Sequence, residues 1–162
     1  MMKINYEAER VTHDSARDFT TTRMRFDTLV PAWDNDTSVE LVLAEAAWSE
    51  VEAAVSARAG PTELVALTRL DQGRLLSLSG EPLEATLYLV GNPILARQVL
   101  HHDPAAALYA PFRVAVYRDT AGVHIAYDTP SSVFASIGSP EINAIAAELD
   151  DKIRTAVEES CR

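Results

Sequence analysis

The order of periodic segments predicts an α+β chain, with helices packed on one face of a meandering antiparallel sheet. Three observations carry this. Residues 112–118 and 123–128 alternate apolar and polar positions on either side of Asp119-Thr120-Ala121-Gly122, which reads as a hairpin. Residues 37–55 and 140–157 repeat apolar residues at spacings of three and four, the period of amphipathic helices. Between them lie strand-length runs broken by Gly, Pro and Asn, with no internal repeat, low-complexity tract or linker. At 162 residues the chain has the size of one domain, large enough to bury a core without metal or disulfide.

Residues 1–16 are polar and aperiodic and are expected to form a flexible N-terminal arm, leaving residues 17–162 as a single α+β domain. From Phe19 onward Met24, Phe26 and Val30 share one parity, with Arg23, Arg25 and Asp27 on the other, so a first, half-buried strand is expected there. Pro31 and Asp34-Asn35-Asp36 end it. Thr37-Ser38-Val39-Glu40 fits a capping box, opening one helix with the stripe Leu41, Ala44, Trp48, Val51 and Val55. Trp48 in that stripe reads as core. Gly60-Pro61 supplies the stop.

Residues 64–70 and 74–78 flank Asp71-Gln72-Gly73 and are expected to pair as a hairpin. Residues 83–90 form a further strand, whose run Leu87-Tyr88-Leu89-Val90 suggests burial on both faces. Gly91-Asn92-Pro93 breaks it. A short helix over residues 94–100 follows, then Asp103-Pro104 as an N-cap with proline at the first helical position. Ser139-Pro140-Glu141 opens the last helix, with the stripe Ile142, Ile145, Leu149, Ile153 and Val157. Asp150-Asp151 on that helix read as a solvated face rather than a pair, because adjacent helical residues diverge.

Composition excludes several functions. Fourteen basic residues stand against twenty-four acidic ones, giving a formal net charge of −10 with no basic run. That balance argues against nucleic acid and against an anionic membrane surface as partners. Residues 1–19 contain no apolar core of a signal peptide, and no run approaches the ~20 apolar residues that span a bilayer. The one cysteine, Cys161, cannot form an intramolecular disulfide, which fits a cytoplasmic location; its thiol is expected to be exposed and inert near the end of the sequence. Twelve arginines against two lysines, with abundant alanine, is the bias of a GC-rich bacterial genome.

The stretch of residues 88–130 resembles the bacterial family known as domain of unknown function 302. The likeness is carried by Gly91-Asn92-Pro93, Leu100, Asp103-Pro104, Leu108 and Pro111. Arg113, Val116-Tyr117, Asp119, Gly122, Tyr127 and Pro130 complete it. Ala110 stands where the family usually has leucine, and residues 62–80 lack the family pattern. The resemblance implies a TATA-binding-protein-like fold, β-α-β(4)-α, an antiparallel curved sheet with two main helices on one face. It implies no established activity.

Nucleotide and hydrolase templates are absent: there is no phosphate loop with lysine, no G-x-G-x-x-G, no G-x-S-x-G and no H-E-x-x-H. No cofactor is implied. His101-His102-Asp103 lacks a converging third ligand, so no metal site is expected. Asn92 in the strand-ending turn is a candidate ligand contact. The hairpin supplies the other candidates. A four-residue loop sets Arg118 opposite Val123, Val116 opposite Ile125 and Val114 opposite Tyr127 on an apolar face. Tyr117 opposite His124, Ala115 opposite Ala126 and Arg113 opposite Asp128 form the other face, with a cross-strand ion pair in the last. A cation, an anion, a phenol and an imidazole around alanines fit three functions. The first is a binding module holding a small, mostly apolar ligand through Asn92, Arg113, Tyr117, His124 and Asp128 on or beside the sheet. The second is an enzyme, an isomerase or cyclase with Tyr117 and His124 as acid and base. The third is a homodimeric interaction domain joined through the open sheet face.

Overall fold

The computed structural model describes residues 3–162. Five strands form one antiparallel sheet, β1 (Arg10–Ser15), β2 (Val65–Asp71), β3 (Ala85–Gly91), β4 (Phe112–Arg118) and β5 (Val123–Asp128), in the order β1-β5-β4-β3-β2. The helices are α1 (Phe19–Leu29), α2 (Asn35–Leu43), α3 (Trp48–Arg58), α4 (Gln72–Leu76), α5 (Pro93–His102), α6 (Pro130–Phe134) and α7 (Pro140–Cys161). The expected α+β class and antiparallel curved sheet are present, with more helices than the sequence periods suggest.

Five local expectations are corrected, the last of them at β3. The first strand is not at residues 19–30 but at Arg10–Ser15, inside the expected flexible arm, where it pairs with β5 from Arg10↔Asp128 to Ser15↔Val123. The first two residues of that arm lie outside the described residues. Segment 19–30 is α1 because its buried set is Thr22, Phe26 and Val30, four apart, while Met24 is 57% exposed. Asp18 caps it, accepting from Thr21 N at 2.9 Å and Thr21 Oγ1 at 2.7 Å. The hydroxyl and N–H donors of Thr21 hold its carboxyl below the usual carboxylate range.

The single helix expected over residues 37–55 is two. Asp34, not Thr37, caps α2, and the chain turns through Glu45 at φ 48°, a left-handed conformation that ends it. A new start follows, in which Glu50 Oε2 accepts from Ala47 N at 2.7 Å. The hairpin expected after β2 is also absent: Asp71 caps α4 by accepting from Arg74 N at 3.0 Å, and β2 pairs with β3 across a register shift between Ala66 and Thr68. Gly73 is required for approach rather than for its dihedrals, since a Cβ there would lie 2.4 Å from Leu83 O. Cys161, too, is buried rather than exposed. Its carbonyl accepts from Ala16 N at 3.1 Å, and burial pushes its thiol pKa up to about 11.

The remaining elements follow their signals, β3 excepted. Ser139 Oγ accepts from Ile142 N, and α7 buries Ile142, Leu149, Ile153 and Val157 as expected, with Ala146 and Ala156 between them. The β4–β5 register is the one the loop length predicts, from Val114↔Tyr127 to Arg118↔Val123. In β3, Thr86, Tyr88 and Val90 are buried while Leu87 and Leu89 are only half-buried, so one face is covered rather than both.

The main core lies between that covered face and α1, α5 and α7, built on Phe26, Tyr88, Val114, Ile125, Phe134 and Ile153. A separate small cluster joins Trp33, Val55 and Val65. Val65 pairs with Gly91 and Ala66 with Val90, so Val65 faces away from the main core and α3 covers that end of β2. The two clusters do not merge.

Candidate functional site

Where they fail to merge, a cavity of about 500 Å3 opens at the end of β3. Its floor is Val90 and Gly91, continued by Val99, Phe134 and Leu149 of the main core. Its walls are Trp33, Trp48 and Val51 on one side and Ala96, Leu100, Pro111 and Phe112 on the other. Ser38, Leu41 and Val42 of α2, at spacings of three and four, share one helix face and form the lip. The Ala110–Pro111 peptide within the wall is cis. No Asp, Glu, Lys, Arg or His lines the space.

The few polar groups there are held by local structure. Trp33 Nε1 donates to Ser38 Oγ at 2.7 Å, tying the start of α2 to the wall. Trp48 Nε1 donates to Glu52 Oε1 at 2.7 Å, and the Arg97 guanidinium stacks 4.8 Å from the Trp48 ring. Asn92 caps α5: its Oδ1 accepts from Ile94 N at 2.8 Å and Leu95 N at 3.2 Å, and its Nδ2 donates to Glu63 O at 2.8 Å. Gly91-Asn92-Pro93 is therefore a helix start with proline at its first turn, and it borders the cavity.

The other sequence candidates lie on the opposite face of the sheet, which α3 covers only at the β2 end. Arg113, Tyr117 and Asp128 share a shallow depression of about 430 Å3 with Arg10, Thr12 and Leu87. The expected Arg113–Asp128 ion pair does not form. Arg10 of β1, the neighbour on the other side of β5, takes Asp128 through Nε at 2.8 Å and Nη2 at 3.2 Å. His124 is buried and touches the Tyr117 ring, with centroids 5.1 Å apart. Its Nδ1 lies 2.8 Å from Asp14 Oδ1 and its Nε2 3.0 Å from Asp119 Oδ1. Burial opposes its protonation, but the two carboxylates outweigh it and raise its pKa. Asp119 is held below the carboxylate range first by the Ala121 N–H and then by His124. With both ring nitrogens bonded to carboxylates, the imidazolium pins β1 to the β4–β5 loop. It has no nitrogen left for a substrate proton, the role the enzyme reading gave it.

The structure thus brings together Arg113, Tyr117, His124 and Asp128 on one face and places Asn92 elsewhere, on the cavity. His101 and His102 end α5, exposed, and no group of three or more His, Cys, Asp or Glu among the described residues is placed to hold a metal ion. Sequence reasoning missed the cavity except at Asn92. Several lining residues lie in segments singled out, but as stripe or turn positions, and the apolar residues of the wall carry no signal that separates lining from core: Trp48, read as core, is half-buried on the cavity wall.

A model of the family described as domain of unknown function DUF302 matches residues 39–160. A crystal structure of an uncharacterised conserved DUF302 protein from Bacillus stearothermophilus superposes with a TM-score of 0.66 at 17% identity, covering 94% of this chain and 98% of that one. No curated protein matches. Among the described residues no helix is long and apolar enough to cross a membrane.

Proposed function

This chain belongs to the DUF302 family, and from that premise we propose that it binds an apolar small molecule in the cavity between α2, α3 and α5. One observation carries the reading: the space is of ligand size, and its lining holds two indoles, a phenylalanine pair and aliphatic side chains but no charge. Pockets that hold drug-sized ligands measure about 300–1,000 Å3 and are lined in this way. The space is partly open to solvent, so an apolar occupant that covers its lining removes that surface from water.

The test uses the two tryptophans, Trp33 and Trp48, both of which face the cavity and are the only ones in the chain. Titration with 1-aminoanthracene is expected to quench or shift their emission saturably. The variant Ala96→Phe, which puts a ring into the space, is expected to abolish the change while keeping the fold. Saturable binding that Ala96→Phe leaves intact would place the ligand elsewhere.

A second reading, a homodimer joined through the open part of that sheet face, is favoured by exposed Arg113 and by half-exposed Leu70 at its edge, beyond the end that α3 covers. Sedimentation at rising concentration, with Leu70→Lys as the variant expected to disperse it, distinguishes that reading.

A further inference from the structure

A hydrocarbon wall discriminates weakly among apolar molecules, whereas a hydrogen-bonding group within it rejects any molecule that leaves it unpaired. The polar groups facing this cavity are therefore the ones that select its occupant. Both indole N–H groups are spent, on Ser38 Oγ and on Glu52 Oε1. Asn92 is committed to capping α5 and to Glu63 O. Ser38 differs. Its oxygen accepts from Trp33, which fixes where the hydroxyl sits, and its own O–H has no acceptor among the described residues. That proton is a donor positioned at the cavity lip by a helix on which no residue is buried.

We infer that the occupant is an uncharged apolar molecule carrying one hydrogen-bond acceptor, a carbonyl or ether oxygen, and that Ser38 is the residue that selects it. This rests on the reading of the cavity as a ligand site. An ionised carboxylate does not fit: burying it requires a paired cation, and no cation lines the space. Arg97 lies outside, exposed and stacked on Trp48. A purely hydrocarbon ligand fills the volume but leaves the hydroxyl unpaired once it excludes water.

Three nine-carbon probes separate these cases: nonane, 2-nonanone and nonanoate, titrated at neutral pH against the wild type, Ser38→Ala and Ser38→Thr. The wild type is expected to prefer the ketone over the alkane by about 3- to 10-fold, the worth of one neutral hydrogen bond. Ser38→Ala is expected to erase that preference, Ser38→Thr to keep it, and nonanoate to bind weakest throughout. Ser38 lies on an exposed helix, so both variants are expected to fold, which their thermal melts verify. Equal affinity of the wild type for alkane and ketone, a preference surviving in Ser38→Ala, or tightest binding of nonanoate would overturn the assignment. In each of those cases, binding that Ala96→Phe blocks would leave the cavity reading standing. Failure of all three probes to bind would remove both.

Discussion

The two ends of the molecule are built by different means. At the hairpin end, β1, β4 and β5 are fixed by a ladder of paired residues and by one imidazolium held between Asp14 and Asp119. At the other end, α2 and α3 close over β2 and β3 through scattered apolar contacts. There α2 buries no residue at all, and Val42 and Leu43 are 76% and 79% exposed. The first end is closed by continuous strand pairing, with the hydroxyl of Thr129 after β5 left without a hydrogen-bond partner among the described residues. The second holds a partly open apolar space large enough for a ligand. The contrast teaches that strand pairing holds one end, while at the other an exposed helix, α2, borders a space without burying a side chain of its own.

The largest expected effect is in the packed half. Ile125→Ala removes a fully buried side chain beneath the helices and is expected to cost about 2–5 kcal/mol by urea denaturation. Val42→Ala at the cavity lip is expected to stay within about 0.5 kcal/mol of the wild type, so similar costs for the two would break the comparison. Ala96→Phe comes next. In a filled core such an insertion costs about 1–3 kcal/mol, but here the ring has room, and an unchanged or raised melting temperature is expected. A large fall would mean that the space is not free to be occupied.

A smaller effect, tied to pH, reports the imidazolium. Because the folded state raises the pKa of His124, the stabilisation is complete below the ordinary imidazole pKa of about 6.5 and is lost as pH rises through the raised value. Asp119 acts with the opposite sign, stabilising above the ordinary carboxylate range and losing its contribution as pH falls through its depressed value. The stability gap between wild type and His124→Gln is thus expected to be widest at mildly acidic pH and to narrow toward alkaline pH. A gap that widens with pH would mean the ring is held neutral. Smallest of all is Arg113→Ala, which breaks no ion pair among the described residues and is expected to leave the melting temperature unchanged.

This division also explains what could be read from the sequence. The β4–β5 register was legible because loop length and period two determine it within seventeen residues, and α7 because its cap and stripe are local. The arm was misread because β1 gains its partners from β5, more than a hundred residues away. Residues 19–30 satisfied both a period of two and one of four, and only burial of Thr22 with Phe26 decides between them. Residues 37–55 kept one apolar stripe across a break that rests on Glu45, a residue type with no turn signal. The cavity was illegible apart from Asn92, because an unfilled volume depends on how distant elements fail to meet. The hairpin face was assembled correctly, but its charges found partners on β1 that a two-strand reading does not contain.

The proposed site for a small molecule is the apolar space beneath α2 rather than the polar sheet face. Crystals soaked with 4-bromophenyl methyl ketone, followed by anomalous diffraction at the bromine edge, locate the probe directly. A bromine peak among Val99, Phe112 and Phe134, with the ketone oxygen turned toward Ser38, is the predicted result. A peak between Arg113 and Tyr117 with the cavity left empty would contradict it.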